Sequence, residues 1–177
     1  SLALSGGTVF VRPADEAQNC NCASSALAYR LVPLSASKGT EMTIKHIFVI
    51  GAGTMGNGIA QIAATSGYQV TCMDVMPAAL EKAKAAIARS TGKLLEKGTI
   101  SADAKAGADA IRFVGNMDTM KDADFVIEAA TENPELKFRI FKDMDANARE
   151  GVILASNTSS ISITKIAAQT GRPDKVI

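Results

Sequence analysis

The residues with the plainest chemical meaning are Gly51-Ala52-Gly53-Thr54-Met55-Gly56. A G-x-G-x-x-G run between an apolar strand and a helix suits a diphosphate. Gly51 allows the tight turn, Gly53 lets the backbone approach the pyrophosphate, and Gly56 lets helix and strand pack closely. The helix beyond offers unpaired N–H groups and a partial positive charge to the anion. Alone the pattern is weak, because Gly and Ala are common. Here it is answered by Asp74, 18 residues past Gly56 at the end of the next apolar run. A carboxylate at that point accepts hydrogen bonds from the ribose hydroxyls of a dinucleotide and repels a 2′-phosphate. Val75 and Met76 follow it, with no Arg to receive one. The expected cofactor is therefore NAD(H) rather than NADP(H); the alternative is a glycine turn of purely structural use.

Other reactive side chains are few. His46 is the single histidine. It precedes the apolar centre of the first strand, at the end of a sheet away from the ligand edge, and is expected to be a strand-edge residue. Cys20 and Cys22 form a C-x-C pair, but the third Cys, Cys72, is distant, and a zinc site needs about four ligands. No metal site is expected. Three cysteines make no disulfide framework, so a reducing compartment is the default. The seven Met residues read as packing filler.

Elements must position these groups. Residues 45–50 are a short β-branched-rich apolar run, read as a buried parallel strand, and Met55, Ile59, Ile62 and Ala63 recur at helical spacing up to Gly67. Tyr68–Asp74 reads as a second strand. Pro77 starts a long helix through Ala83, Ile87, Leu94 and Leu95. Residues 101–110 read as a short helix or loop, 111–114 as a weak strand, and 125–129 as a clear one. Asn133-Pro134-Glu135 is a helix start, with Asn as cap, Pro in the first position and an acid in the first turn. Leu136, Ile140, Phe141 and Met144 are its expected buried face. Residues 152–155 form a strand, Ser/Thr capping residues and a short helix near 163–168 follow, and 175–177 begin another strand. Strands alternating with helices imply right-handed βαβ units. The expected fold is α/β, a doubly wound, mostly parallel sheet with helices on both faces.

Composition narrows the function. The chain has 177 residues, 47% hydrophobic and 21% charged, enough for a buried core. Nineteen basic and 18 acidic residues leave a net charge of +1, which gives no basic field for nucleic acid and no case for an anionic membrane surface. No apolar run reaches the length of a spanning helix. Residues 1–41 carry no persistent period and fit neither a secretory signal nor a mitochondrial presequence. They are expected to be a disordered tail or a non-native leader, with the domain in 42–177.

Two further stretches carry a resemblance. Glu128-Ala129-Ala130-Thr131-Glu132-Asn133-Pro134-Glu135-Leu136-Lys137 and Ala155-Ser156-Asn157-Thr158-Ser159-Ser160, with the glycine turn and Asp74, resemble the L-3-hydroxyacyl-CoA dehydrogenase family. The run from Met42 to Gly56 is similar to bacterial 3-hydroxybutyryl-CoA dehydrogenases. The resemblance covers about Met42 to Ile177 and implies a Rossmann-type domain. It implies oxidation of the 3-hydroxyl of an acyl-CoA to a ketone, with hydride passing to NAD⁺ and a histidine–glutamate pair as general base. It places Glu132 and Lys137 on the nicotinamide side of the cofactor. Ser159 would lie near the substrate oxygen and nicotinamide, Asn157 would shape the same loop, and Ser90 and Lys97 would contact coenzyme A. Taken as residues alone, Ser159 could cap the next helix, Glu132 could be a solvated first-turn acid, Lys137 an exposed helix charge, and Ser90 and Lys97 surface residues.

In the family the strand that starts at Lys175-Val176-Ile177 continues into G-x-H-F-F-N-P, which carries the catalytic histidine. A helical domain that closes the cleft and forms a dimer comes after it. The 177 residues are therefore expected to be the cofactor part of a cytoplasmic, homodimeric enzyme of fatty-acid or butanoate metabolism, inactive alone. A non-catalytic NAD-binding module and a related β-hydroxyacid or sugar-acid dehydrogenase are the competing readings.

Overall fold

The computed structural model describes residues 43–177. The expectations for residues 1–41, including the Cys20–Cys22 pair, lie outside them. Five strands form one parallel sheet: β1 (His46–Ile50), β2 (Gln69–Met73), β3 (Arg112–Val114), β4 (Phe125–Glu128) and β5 (Ile153–Ser156). Their spatial order is β3-β2-β1-β4-β5, the doubly wound arrangement expected from the alternation of elements. Five helices connect them: α1 (Thr54–Thr65), α2 (Pro77–Glu96), α3 (Ala102–Asp109), α4 (Pro134–Asn147) and α5 (Ile163–Ala167). At the chain's end Pro173–Lys175 is a 3-10 turn, so the expected strand is shorter. Only Val176 bridges, in parallel, to Leu154 of β5.

Both faces of β1 are buried, which is why its sequence is a continuous apolar run rather than an alternating one. Ile47 and Val49 pack with Val70, Cys72, Ala60 and Ile87 under α1, α2 and α3. Phe48 and Ile50 face the other way, toward Val126, Phe141, Met144, Leu154 and Ile166 under α4 and α5. Cys72 is a buried core thiol, and burial, with the charge of Asp74 adding to it, pushes its pKa up to about 11. It is inert as a nucleophile.

The structure corrects the expected helix faces. On α1 the buried residues are Gly56, Ala60, Ala63 and Ala64, whereas Met55 and Ile62 are 57% and 68% exposed. A helix packed this close to the sheet admits only small side chains on its inner row, so the larger ones turn outward. On α2 the inner row is Ala83, Ile87 and Thr91, while Leu95 is exposed. The Thr91 hydroxyl is satisfied by the Ile87 carbonyl at 2.9 Å. On α4, Phe141 and Met144 are buried as expected, but Leu136 is exposed and Lys137 takes an inner position. Among the methionines, Met73, Met120 and Met144 are core filler. Met55 and Met76 instead stand exposed beside the glycine turn and Asp74.

Candidate functional site

All five strands point their carboxyl ends to one edge, and the chain reverses its winding between β1 and β4. That switch point is where open α/β sheets leave a crevice for ligands. The glycine turn follows β1 and opens into it. Gly51 has φ 98°, a left-handed conformation that favours glycine, and a Cβ there would meet Ala129 O and Ala130 Cα at 2.7 Å. Its amide is held by Met73 O at 2.7 Å. A Cβ on Gly56 would drive into the carbonyl oxygen of Gly51. These two glycines are required by the protein's own packing.

Gly53 is different. A Cβ there would meet nothing within 4 Å. Neither packing nor backbone geometry demands glycine at that point, and the open space over it is what a diphosphate would fill. The helix behind it points the same way. Gly53 is the N-cap of α1, which has no side-chain cap and no acid in its first turn. Ser101 and Asn133 cap α3 and α4 through their side chains, and Asp103 and Glu135 lie in those first turns, whereas α2, like α1, has neither but begins at a proline. The N–H groups and partial charge of α1 are left for an anion. The residues present therefore fit a dinucleotide.

Asp74 stands just past β2, half-buried. Its two oxygens accept the Ala52 amide and the Met76 amide, each at 2.9 Å. The carboxylate thus ties the glycine turn to the entry of α2 and keeps lone pairs for further donors. This bracing role carries no sequence signal beyond the acid itself.

The other wall of the crevice comes from the ends of β4 and β5, where Glu128 and Ser156 are register partners. Glu128 is fully buried. Its Oε1 accepts the amides of Ala130 and Thr131 at 2.9 and 3.3 Å. Its Oε2 accepts the Lys137 ammonium and the Ser156 hydroxyl, the latter at 3.0 Å. Lys137 is itself fully buried and lies 3.3 Å from Ser156 Oγ. The structure thus corrects the reading of Lys137 as an exposed helix charge. In this structure its contacts are with Glu128 and Ser156. Glu128 and Ser156 were not singled out from sequence. A glutamate inside an apolar strand with a lysine in the first turns of the next helix is the one signal that could have found them.

Glu132 is exposed in the β4–α4 loop, and its Oε2 accepts the Ser160 hydroxyl across the crevice at 3.1 Å. Asn157 is half-buried, with its amide on Glu128 O at 2.8 Å. Ser159 is exposed on the same loop. It does not cap α5, whose first flanking residue is Ser162. The local capping belongs to Thr158, whose hydroxyl oxygen accepts the Ser160 and Ile161 amides at 3.4 and 3.3 Å. Glu132, Asn157 and Ser159 are therefore brought together. Ser90 and Lys97 are not part of this group. Ser90 is half-buried in the second half of α2, and Lys97 is exposed just past its last residue.

His46 lies at the amino end of β1, nearly buried. Its ring nitrogens meet Asp122 O at 3.1 Å and Thr71 Oγ1 at 2.9 Å. It is satisfied structurally and is at the wrong edge for chemistry on the cofactor. A cavity of about 720 Å³ also opens at that edge, lined by His46, Gly67, Ser101, Gly107 and Arg112 among others. It is remote from the glycine turn. No helix among the described residues is long and apolar enough to cross a membrane.

Residues 46–177 match the model of the 3-hydroxyacyl-CoA dehydrogenase, NAD binding domain. The chain is 42% identical over 135 residues to 3-hydroxybutyryl-CoA dehydrogenase of Bradyrhizobium diazoefficiens, covering 76% of this chain and 46% of that protein. It is 38% identical over 149 residues to the mitochondrial hydroxyacyl-coenzyme A dehydrogenase of Sus scrofa, covering 80% and 47%. The crystal structure of (S)-3-hydroxybutyryl-CoA dehydrogenase from Ralstonia eutropha superposes with a TM-score of 0.73 at 47% identity, covering 76% of this chain and 48% of that one. The chain spans about half the length of the curated relatives it matches.

Proposed function

The chain belongs to the 3-hydroxyacyl-CoA dehydrogenase family through its NAD-binding domain, and from that premise we propose that it is the cofactor-holding part of an enzyme that oxidises a short L-3-hydroxyacyl-CoA to the 3-ketoacyl-CoA. The observation that carries this reading is the open space over Gly53 in front of an uncapped helix. NAD⁺ supplies the hydride acceptor when bound.

The chain's own residues divide the work. The turn from Gly51 to Gly56, through Ala52, Thr54 and Met55, presents backbone N–H groups to the diphosphate. Asp74 receives the adenosine ribose hydroxyls and disfavours a 2′-phosphate. Glu132, Asn157 and Ser159 stand where the nicotinamide and the substrate oxygen meet, and Ser159 is free to donate to that oxygen. Lys97, just past α2, meets a coenzyme A phosphate as a mobile point charge, with Ser90 two turns earlier on α2. His46 is at the opposite edge and does not serve as the proton acceptor for the 3-hydroxyl. A cytoplasmic setting, dimer formation and a place in fatty-acid or butanoate metabolism rest on the likeness to the bacterial enzymes.

Fluorescence titration with NADH, with and without 3-hydroxybutyryl-CoA and NAD⁺ turnover, tests the reading. The 177 residues should bind NADH in preference to NADPH and show no turnover. Failure to bind NADH, or robust turnover of the thioester by these residues alone, would overturn it.

A further inference from the structure

Two exposed side chains meet across the crevice, and each has only the other. Glu132 Oε2 accepts the Ser160 hydroxyl at 3.1 Å. Among the described residues no cation lies within ion-pair distance of Glu132, and the Ser160 hydroxyl has no second partner. The backbone on both sides is fixed without this bond. Thr131 Oγ1 accepts the Asn133 amide at 3.0 Å, and Asn133 caps α4, so the turn that carries Glu132 is already set. Thr158 Oγ1 accepts the Ser160 and Ile161 amides, so the turn that carries Ser160 needs nothing from its hydroxyl. Nor does capping claim Ser160, since the residue flanking α5 is Ser162.

What the bond fixes is therefore the head of Glu132. A surface glutamate samples many rotamers, and ordering it on a ligand costs side-chain entropy. A partner that holds the carboxylate beforehand removes part of that cost. The Ser160 bond occupies Oε2 and leaves Oε1 with no partner among the described residues. We propose that Ser160 is a positioning residue for the cofactor crevice. It acts through Glu132, holding that carboxylate ready for the hydroxyl and amide donors of the nicotinamide half of NAD, and leaves Ser159 to the substrate oxygen. The proposal rests on the assignment of NAD, and of Glu132 to its nicotinamide side.

The test is a double-mutant cycle on the 177-residue chain, read with NADH and with ADP-ribose, which lacks the nicotinamide. Ser160→Ala should weaken NADH about threefold, within the worth of one hydrogen bond, and move ADP-ribose by less than about 1.5-fold. Ser160→Thr keeps the hydroxyl and should bring NADH back to within about 1.5-fold of the unaltered chain. In a Glu132→Ala background, itself weakened for NADH, Ser160→Ala should change nothing further. Both residues are exposed, so melting temperatures should stay together, and a merely structural serine would weaken both ligands alike. The proposal is overturned if Ser160→Ala leaves NADH unchanged, if both ligands weaken equally, if Thr does not restore binding, or if the effect persists in full without Glu132. NADH binding indifferent to Glu132→Ala would instead remove Glu132 from the site. No NADH binding by the unaltered chain would remove the cofactor assignment, and the role of Ser160 falls with either.

Discussion

The two walls of the crevice are built from different materials. On the β1–α1–β2 side the ligand surface is backbone, namely the glycine turn and the first turn of α1, braced from behind by Asp74. On the β4–β5 side it is side chains on loops, held from beneath by a buried glutamate and lysine. The backbone wall needs no charged side chain, because a diphosphate is recognised by N–H groups and a helix end. On the proposed reading the loop wall holds one ring and one substrate oxygen in register, and loops do that only when their roots are fixed. On the proposed reading, the difference teaches that shape secures the adenosine half, whereas side chains on braced loops secure the reactive half.

That contrast can be broken by substitution. The largest effect on folding is expected on the loop wall. Lys137→Met strands the Glu128 charge inside the protein and should cost about 3–5 kcal/mol in denaturant unfolding. A loss under about 1 kcal/mol would mean that the pair is not buried as described.

Next come the glycines, which should separate by role. Gly56→Ala forces the helix off the turn and should destabilise the domain by about 1–3 kcal/mol. Gly53→Ala meets no protein atom, so unfolding should change by less than about 0.5 kcal/mol while NADH affinity collapses. Equal destabilisation of the two variants would erase the distinction between packing and ligand glycines.

Asp74→Ala removes the acceptor of two backbone amides as well as the proposed ribose contact. It should cost about 1–3 kcal/mol of stability and relax the preference for NADH over NADPH, both read by titration and melting. Unchanged cofactor preference would leave Asp74 a brace only.

The smallest expected effect lies at the opposite edge and depends on pH. Asp124 accepts the amides of Lys45 and His46 at 2.8 and 2.9 Å, and Arg149 lies on its other oxygen. Those bonds, the backbone ones foremost, hold its pKa below the ordinary 3.8. A lowered acid stabilises the fold above its unfolded pKa, and that contribution is lost as pH falls through the folded value. Acid unfolding below about pH 4 should therefore be shallower in Asp124→Asn than in the unaltered chain. Identical acid limbs would show that Asp124 contributes nothing there.

Much of this architecture was legible in the sequence because its cues are local. Pro77 and Asn133-Pro134 start α2 and α4, Gly67 with φ 93° follows the end of α1, and the glycine turn with Asp74 marks one wall. The opposite placement of His46 also follows from its position before the strand's apolar centre. What was not legible depends on partners distant in sequence. The outward turn of Met55 and Ile62 reflects how closely α1 approaches the Gly51 carbonyl. Lys137 reads as a surface charge because its partners, Glu128 and Ser156, come from two other elements. Ser159 looks like a cap until Thr158 and Ser162 are seen in those places.

The most direct test of the central claim is NADH titration of Gly53→Ala beside the unaltered chain, with melting temperatures recorded for both. A site shaped around the diphosphate predicts that NADH binds the unaltered chain and is lost from the variant at an unchanged melting temperature. Equal NADH binding by the two proteins would contradict it.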